Sequence, residues 1–395
     1  MGAAMIERIE DTEDFEKLRA EWNDLLQHSA SDCLFLTWEW LFTWWKHLAA
    51  DRTLCLLALR EGGSLVAIAP LALRPPQLTR IAPFRTLEFL GSGMAGSDYL
   101  DLIVRIGKER AACRALADNL RHGKLMLELT QLQRRACAAD GFAAELTRSG
   151  WSLSETKTDV CPFIDLSGHS WSSYLATLGS EHRYNFGRRL KNLRKQFDVR
   201  FEQVRSEEAR QEALPLLIAL HNSRWRNRDF SEAFFTADLV AFHDELSRLA
   251  LEQGWLRLFV LRLDGKPVAS LYGFSYHGVF YYFQAGFDPA YSRHSVGLVT
   301  MGLAIQSAIE EGVNKYDLLH GDESYKFHWA REAHELGRLE LYPPGASGWL
   351  YKGACEVNRA ARRMARRVLP KAVADRLAHG QALSLGNERH APATR

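Results

Sequence analysis

No two of the six cysteines, at 33, 55, 113, 137, 161 and 355, form a C-x-x-C pair. That spacing excludes a disulfide framework and a thiolate zinc site, and it reads as reduced, mostly buried thiols; no metal is expected. Long apolar runs are missing too. The strongest, LFLTWEWLFTWW, has twelve residues and carries Glu39, whereas a membrane helix needs about 20. The opening residues MGAAMIERIEDTEDFEKL lack the apolar stretch of a secretory signal. Ile6 also stands where a myristoylation motif requires Ser or Thr. Charge of one sign is scarce, since 50 Lys and Arg against 48 Asp and Glu leave a net +2. Such a balance gives no general argument for nucleic acid, and no DNA partner is expected. What is present, 47% hydrophobic and 25% charged residues over 395 positions, is the composition of a soluble globular protein of two or three domains. A cytoplasmic location is the default expectation.

A repeat organises the chain. LREGGSLVA at 59–67 and LRLDGKPVA at 261–269 share Leu, Arg, Gly, Val and Ala at a constant offset. Each lies between apolar runs and reads as a β-hairpin turning at Gly-Gly or Asp-Gly. Aromatic helical stretches precede both copies. The halves then diverge: the first continues through a Pro-rich loop to a Gly-rich turn that leads into another strand. The second is expected as strands 256–263, 266–276 and 279–287, a helix at about 296–311 and a strand at 315–320. A strand, a helix and a further strand in so short a span form a βαβ unit with parallel strands. Fed by antiparallel hairpins, it gives a mixed α/β sheet, and residues 150–180 carry the chain from one half to the other.

GFDPAYSRHSVGLVTMGLAIQSAIEEG (286–312) connects that strand to that helix. Ser292, Arg293, His294, Ser295 and Gly297 crowd the helix start, with no carboxylate after Asp288. Unpaired first-turn amides, a positive dipole end, a cation and a Gly that permits close approach suit a phosphate or diphosphate; alternatively Ser295 simply caps the helix. Along 279–287 strict alternation puts Tyr282 and Gln284 on one face and Phe283 and Ala285 on the other. The first of these faces is expected on a cleft, or else on a solvated side of the sheet.

The string YYFQAGFDPAYSRHSVGLVTMGLAIQSAIEEGVNKYDLLHGDESYKFHWA (281–330) resembles the CelD-like acetyltransferases. This group is built from two GNAT-like halves and is related to the Fem peptidoglycan aminoacyltransferases. Tyr291, Ser295, Gly297, Tyr316, Asp317, Gly321, Asp322, Glu323, Tyr325, Lys326 and Trp329 match its pattern, while Val296 replaces a common Pro. The resemblance implies an α/β fold with two tandem GNAT-like halves. The expected division is 1–155, 156–345 with an acyl-CoA site, and a basic helical tail at 346–395. It implies acetyl-CoA or another acyl-CoA as cosubstrate, held by Gln284, Ala285 and Gly286 of the strand and by Arg293, His294, Ser295, Val296, Gly297 and Leu298 of the turn. Acyl transfer needs a proton acceptor, oxyanion donors and a proton for the leaving thiolate. His320 or Asp322 suits the first task and Tyr325 the last. Lys326 can stabilise the oxyanion or hold a phosphate, and the Fem relatives place a functional lysine similarly. A polar surface loop with Lys326 paired to an acid is the plainer reading.

The basic helix EHRYNFGRRLKNLRKQF (181–197) offers Arg183 and Asn185 to an anionic acceptor, or is merely a solvated face. Trp225, an aromatic platform for a sugar, can equally be a core residue, and Tyr282 is expected on the acceptor side of the cleft. In the tail, Arg359, Arg362, Arg363, Arg366 and Arg367 allow peripheral contact with anionic lipid, or face water while the helix packs on its own domain. The expected activity is acyl transfer from acyl-CoA to an amine or hydroxyl of a sugar or cell-envelope polysaccharide precursor. A tRNA-dependent aminoacyl transferase and a non-catalytic scaffold for exopolysaccharide assembly are the alternatives.

Overall fold

Asp264 and Gly265 take φ of 50° and 78°, and Gly62 and Gly63 take 58° and 87°. Two successive positive φ values make the tight hairpin turn whose twist suits the flanking strands. The repeat is therefore structural. Leu59 faces Ala67 in one hairpin and Leu261 faces Ala269 in the other, with a register shift just before each turn. Even the side-chain bonds recur. Arg60 reaches Glu7 at 3.2 Å and donates to the Gly63 carbonyl at 3.2 Å. Arg262 reaches Glu202 at 2.9 Å and donates to the Gly265 carbonyl at 3.4 Å. In both halves one arginine ties a hairpin turn to the edge strand beside it.

The computed structural model describes residues 4–75, 85–225 and 234–368. The first half opens with strand β1 (Ala4–Ile9) and helices α1 (Thr12–Lys17), α2 (Arg19–Gln27) and α3 (Trp38–Leu48). Its hairpin, β2 (Thr53–Glu61) and β3 (Ser64–Arg74), is followed by β4 (Thr86–Phe89), β5 (Ile103–Val104), α4 (Glu109–Leu120), β6 (Met126–Gln133), α5 (Ala138–Arg148) and β7 (Ser152–Asp165). After α6 (Trp171–Thr177) and α7 (Ser180–Gln196), the second half repeats the plan with β8 (Val199–Gln203), α8 (Glu207–Trp225) and α9 (Ala237–Glu252). Then come β9 (Leu256–Leu263), β10 (Lys266–Tyr276), β11 (Val279–Phe287), α10 (Val296–Glu310), β12 (Lys315–Asp317), β13 (Glu332–Tyr342) and α11 (Ala346–Val368).

The sheet runs β1-β2-β3-β4-β6-β13-β7-β12-β11-β10-β9-β8, a near-palindrome about the β13–β7 pair. Only β4–β6 and β11–β12 are parallel among the ladders of that path, each over three residue pairs. Each half closes on the other's last strand. β7 leaves the first half to pair with β12, and β13 returns to pair with β6. The boundary expected between 155 and 156 falls inside β7, so the halves are joined through the sheet and not by a linker. One large apolar cluster fills the first half and runs under α8 and α9, while two smaller clusters pack α7 and α10 on the opposite face of the second half.

Candidate active site

The site begins with an irregularity in β11. Gly273 faces Tyr282, but Tyr272 faces Gln284, so Phe283 is an extra, bulged residue. A bulge shifts the in–out alternation by one position. Phe283 turns to Trp40 and His243, at ring separations of 5.8 and 5.1 Å, and Tyr282 and Ala285 come to the same cavity. The strict alternation expected from the sequence therefore fails at Phe283: Ala285 shares a face with Tyr282, and Gln284 is not in the cavity wall.

Pairing of β11 with β12 ends at Tyr281 and Asp317, although β11 continues to Phe287. A wedge opens there and holds a cavity of about 340 Å³. Leu271, Met301 and Trp329 line it with apolar surface, and Gly297 and Leu298 bring in the first turn of α10. Ser295 sits in left-handed backbone (φ 55°) and makes no side-chain cap bond, so the simple capping reading does not hold. Asp288 does not supply a charge to that turn either. It caps the preceding short helix at Ala290 and pairs with Lys266 at 3.2 Å.

Of the residues expected to hold a cofactor, Ala285, Gly286, Gly297 and Leu298 line the cavity. The two glycines differ in kind. A Cβ on Gly286 would stand 2.3 Å from the His221 backbone nitrogen, so α8 requires glycine there. On Gly297 it would meet only the Phe287 ring at 3.4 Å, so packing tolerates more. Val296 points into the core. Arg293 and His294 lie beside the wedge, outside its wall, with the Arg293 carbonyl accepting from Arg189 at 2.8 Å.

From the segment after β12, Tyr325 lines the cavity, as do His328 and Trp329. Asp322 is exposed on the loop. Lys326 is buried, donates to the carbonyls of Leu319 (3.1 Å) and His320 (2.5 Å), and pairs with Glu323 at 3.0 Å. Its ammonium is committed to holding the loop. On α7, Arg183 donates to the Ala176 carbonyl at 3.4 Å and Asn185 accepts from Arg188 at 3.2 Å. The cavity residue of that helix is instead His182, one position earlier. Its Nε2 is buried without a hydrogen-bond partner among the described residues, and its ring lies 4.5 Å from Trp329. Burial, with His328 adding to it, lowers the His182 pKa and favours the neutral imidazole. Trp225 ends α8, and its side chain lies outside the described residues.

His320 has a partner that the sequence did not suggest. Asp98 of the first half, fully buried, accepts from the His320 backbone N–H at 2.9 Å and from its Nδ1 at 2.9 and 3.0 Å. Gln131 donates to the same carboxylate at 3.1 Å. The Asp98 charge raises the His320 pKa, and the geometry leaves Nε2 to exchange a proton. Tyr99, Gln131 and Leu319 all have left-handed φ, at 56°, 59° and 56°. Each adjoins or touches the Asp98–His320 pair. Strain of about 1–3 kcal/mol per such residue persists where function or packing demands it. Tyr99 also donates to Asp317 at 2.8 Å, and burial pushes the Asp317 carboxyl up to about 6. No periodicity or motif flags Asp98; only its chain neighbours, Gly-rich and polar, mark the turn.

Residues 180–327 match the family profile described as an acetyltransferase (GNAT) domain. Those residues form a GNAT acyltransferase domain. Its cavity lies where the parallel pair of that GNAT domain diverges, and the chain is accordingly an acyltransferase. Among solved structures, FemX aligns at TM-score 0.60 and 12% identity, covering 85% of this chain and 96% of that one. L-PGS from Bacillus licheniformis aligns at TM-score 0.50 and 14% identity, covering 90% and 99%. Both likenesses concern the fold, and with the repeated topology they fit two tandem GNAT-like halves. Among curated proteins, none matches the sequence. In the first half the corresponding segment, 90–102, folds inward and buries Ala95, Ser97, Asp98 and Leu100, and thereby delivers Asp98 to the second half.

Proposed function

We propose that the protein transfers an acyl group from an acyl-CoA, held in the second-half wedge, to an amine or hydroxyl of a sugar or cell-envelope polysaccharide precursor. The observation that carries this reading is the open wedge beside an uncapped helix start. The amides of Val296, Gly297 and Leu298 are offered to a diphosphate with no side chain in competition. The residues fit a carrier with an apolar part, since Leu271, Met301 and Trp329 line the same cavity as the first turn of α10. When bound, acyl-CoA supplies the activated thioester. The protein's part is chiefly to hold acceptor and donor together.

Within this reading His320 removes the acceptor's proton at Nε2 while Asp98 fixes the ring through Nδ1–H. Lys326 sets the position of His320 by binding its carbonyl. Tyr325 provides the proton for the departing thiolate. Arg183, Arg188 and Arg189, on the exposed face of α7, favour an anionic acceptor. Isothermal titration with acetyl-CoA tests the proposal. The expected result is one site per chain, weakened about tenfold or more in Gly297→Leu, whose side chain would enter the cavity beside the Phe287 ring. No binding at millimolar acetyl-CoA, together with transfer from an aminoacyl-tRNA, would replace the donor in this account.

A further inference from the structure

Helix α11 is oriented against the usual rule for a surface helix. Its side toward the domain is polar and basic. Tyr351 donates to the Lys124 carbonyl at 3.2 Å, Cys355 meets the Met126 sulfur at 3.9 Å, and Arg359 pairs with Glu340. These three recur every four residues and define the inner face. The apolar residues point outward: Trp349 is 78% exposed, Leu350 57%, Val357 54% and Met364 68%. Leu350, Val357 and Met364 follow one another at seven-residue intervals, and exposed Gly353 and Ala360 lie between them on the same side. A stripe of this kind is costly in water and marks a contact surface.

Charge selects the occupant. The sequence of α11 carries Lys352, Arg359, Arg362, Arg363, Arg366 and Arg367 against one acid, Glu356. A second copy of the chain docked helix to helix would oppose two such cationic segments. An anionic bilayer surface meets both needs at once, taking up the apolar side and attracting the helix's surplus of basic residues beyond the Glu340-paired Arg359. We propose that α11 lies in the interface of an anionic lipid membrane, anchoring the enzyme to the bilayer surface without crossing it. Among the described residues no helix is long and apolar enough to span a membrane.

The test is sedimentation of the full chain with extruded vesicles, either of phosphatidylcholine alone or of phosphatidylcholine with one quarter phosphatidylglycerol. At 0.1 M salt at least about tenfold more protein should sediment with the anionic vesicles, and less at 0.5 M salt. The double variant Trp349→Glu/Val357→Glu should melt at the parent temperature, since both side chains are exposed, and should lose that binding. Trp349→Phe should keep it. Three results would overturn the proposal. One is equal, weak sedimentation with both lipids, and another is a double variant that binds like the parent. The third is a parent dimer in light scattering that the double variant dissolves, which would assign the face to a second copy.

Discussion

His320 and Asp98 lie 222 positions apart in the chain yet share a hydrogen bond. The aspartate holds the imidazole pKa above its ordinary value near 6.5. A histidine that acts as a base works when neutral, so the rate should rise with pH through a midpoint above 6.5. In Asp98→Asn that midpoint should move down toward 6.5, and kcat should fall by about a hundredfold as the ring loses its fixed tautomer. A purely structural aspartate would lower activity without moving the pH profile. The stability linkage runs the opposite way with pH. A raised histidine pKa contributes stability below the unfolded value, and that contribution is lost as pH rises through the folded one. His320 itself was legible because it stands in a dense polar string after a strand. Asp98 was not, since nothing local to the first half says which part of the second half it will meet.

At the scale of elements, α7 and α10 meet where Gly302 admits the Phe186 ring. A Cβ there would stand 2.2 Å from it. This contact aligns α7 so that its first turn reaches the wedge and places His182 there. Gly302→Ala should therefore lower stability by about 1–3 kcal/mol, measured by urea unfolding, and should weaken donor binding even though Gly302 is not in the cavity wall. Unchanged binding in a destabilised variant would separate the helix contact from the site. Most element boundaries of the second half were legible, although the strand expected at 315–320 stops at Asp317. Strands 256–263, 266–276 and 279–287 stand where alternation and turn residues placed them, and α10 begins at Val296 and ends at Glu310, one residue before the expected limit. The bulge at Phe283 was not legible, because a single inserted residue leaves an apolar strand looking like any other. The orientation of α11 was also hidden, since helical spacing gives the faces but not which one meets the domain.

For the molecule as a whole, strand exchange is the governing fact. β7 and β13 pair over eleven positions and fuse the two halves into one sheet. Fragments 1–168 and 169–395, separated at the exposed turn that contains Gly168, should assemble into a 1:1 complex when produced together. Fragment 1–168 alone should lack a cooperative thermal transition, because β6 has lost β13 and β7 has lost β12. A sharp melt of the lone fragment would refute that interdependence. The repeat was legible from nine residues in each half, whereas the exchange was not. Which strand fills a sheet's last position depends on relative geometry that the two copies share, and each copy alone fits either arrangement.

That exchange also sets an order of events during synthesis. The sheet begun at the amino terminus stays unfinished along β6 until residues 332–342 have left the ribosome. For most of translation the nascent chain must therefore keep an unsatisfied edge from pairing with its neighbours on the polysome, a hazard that the mature protein no longer carries.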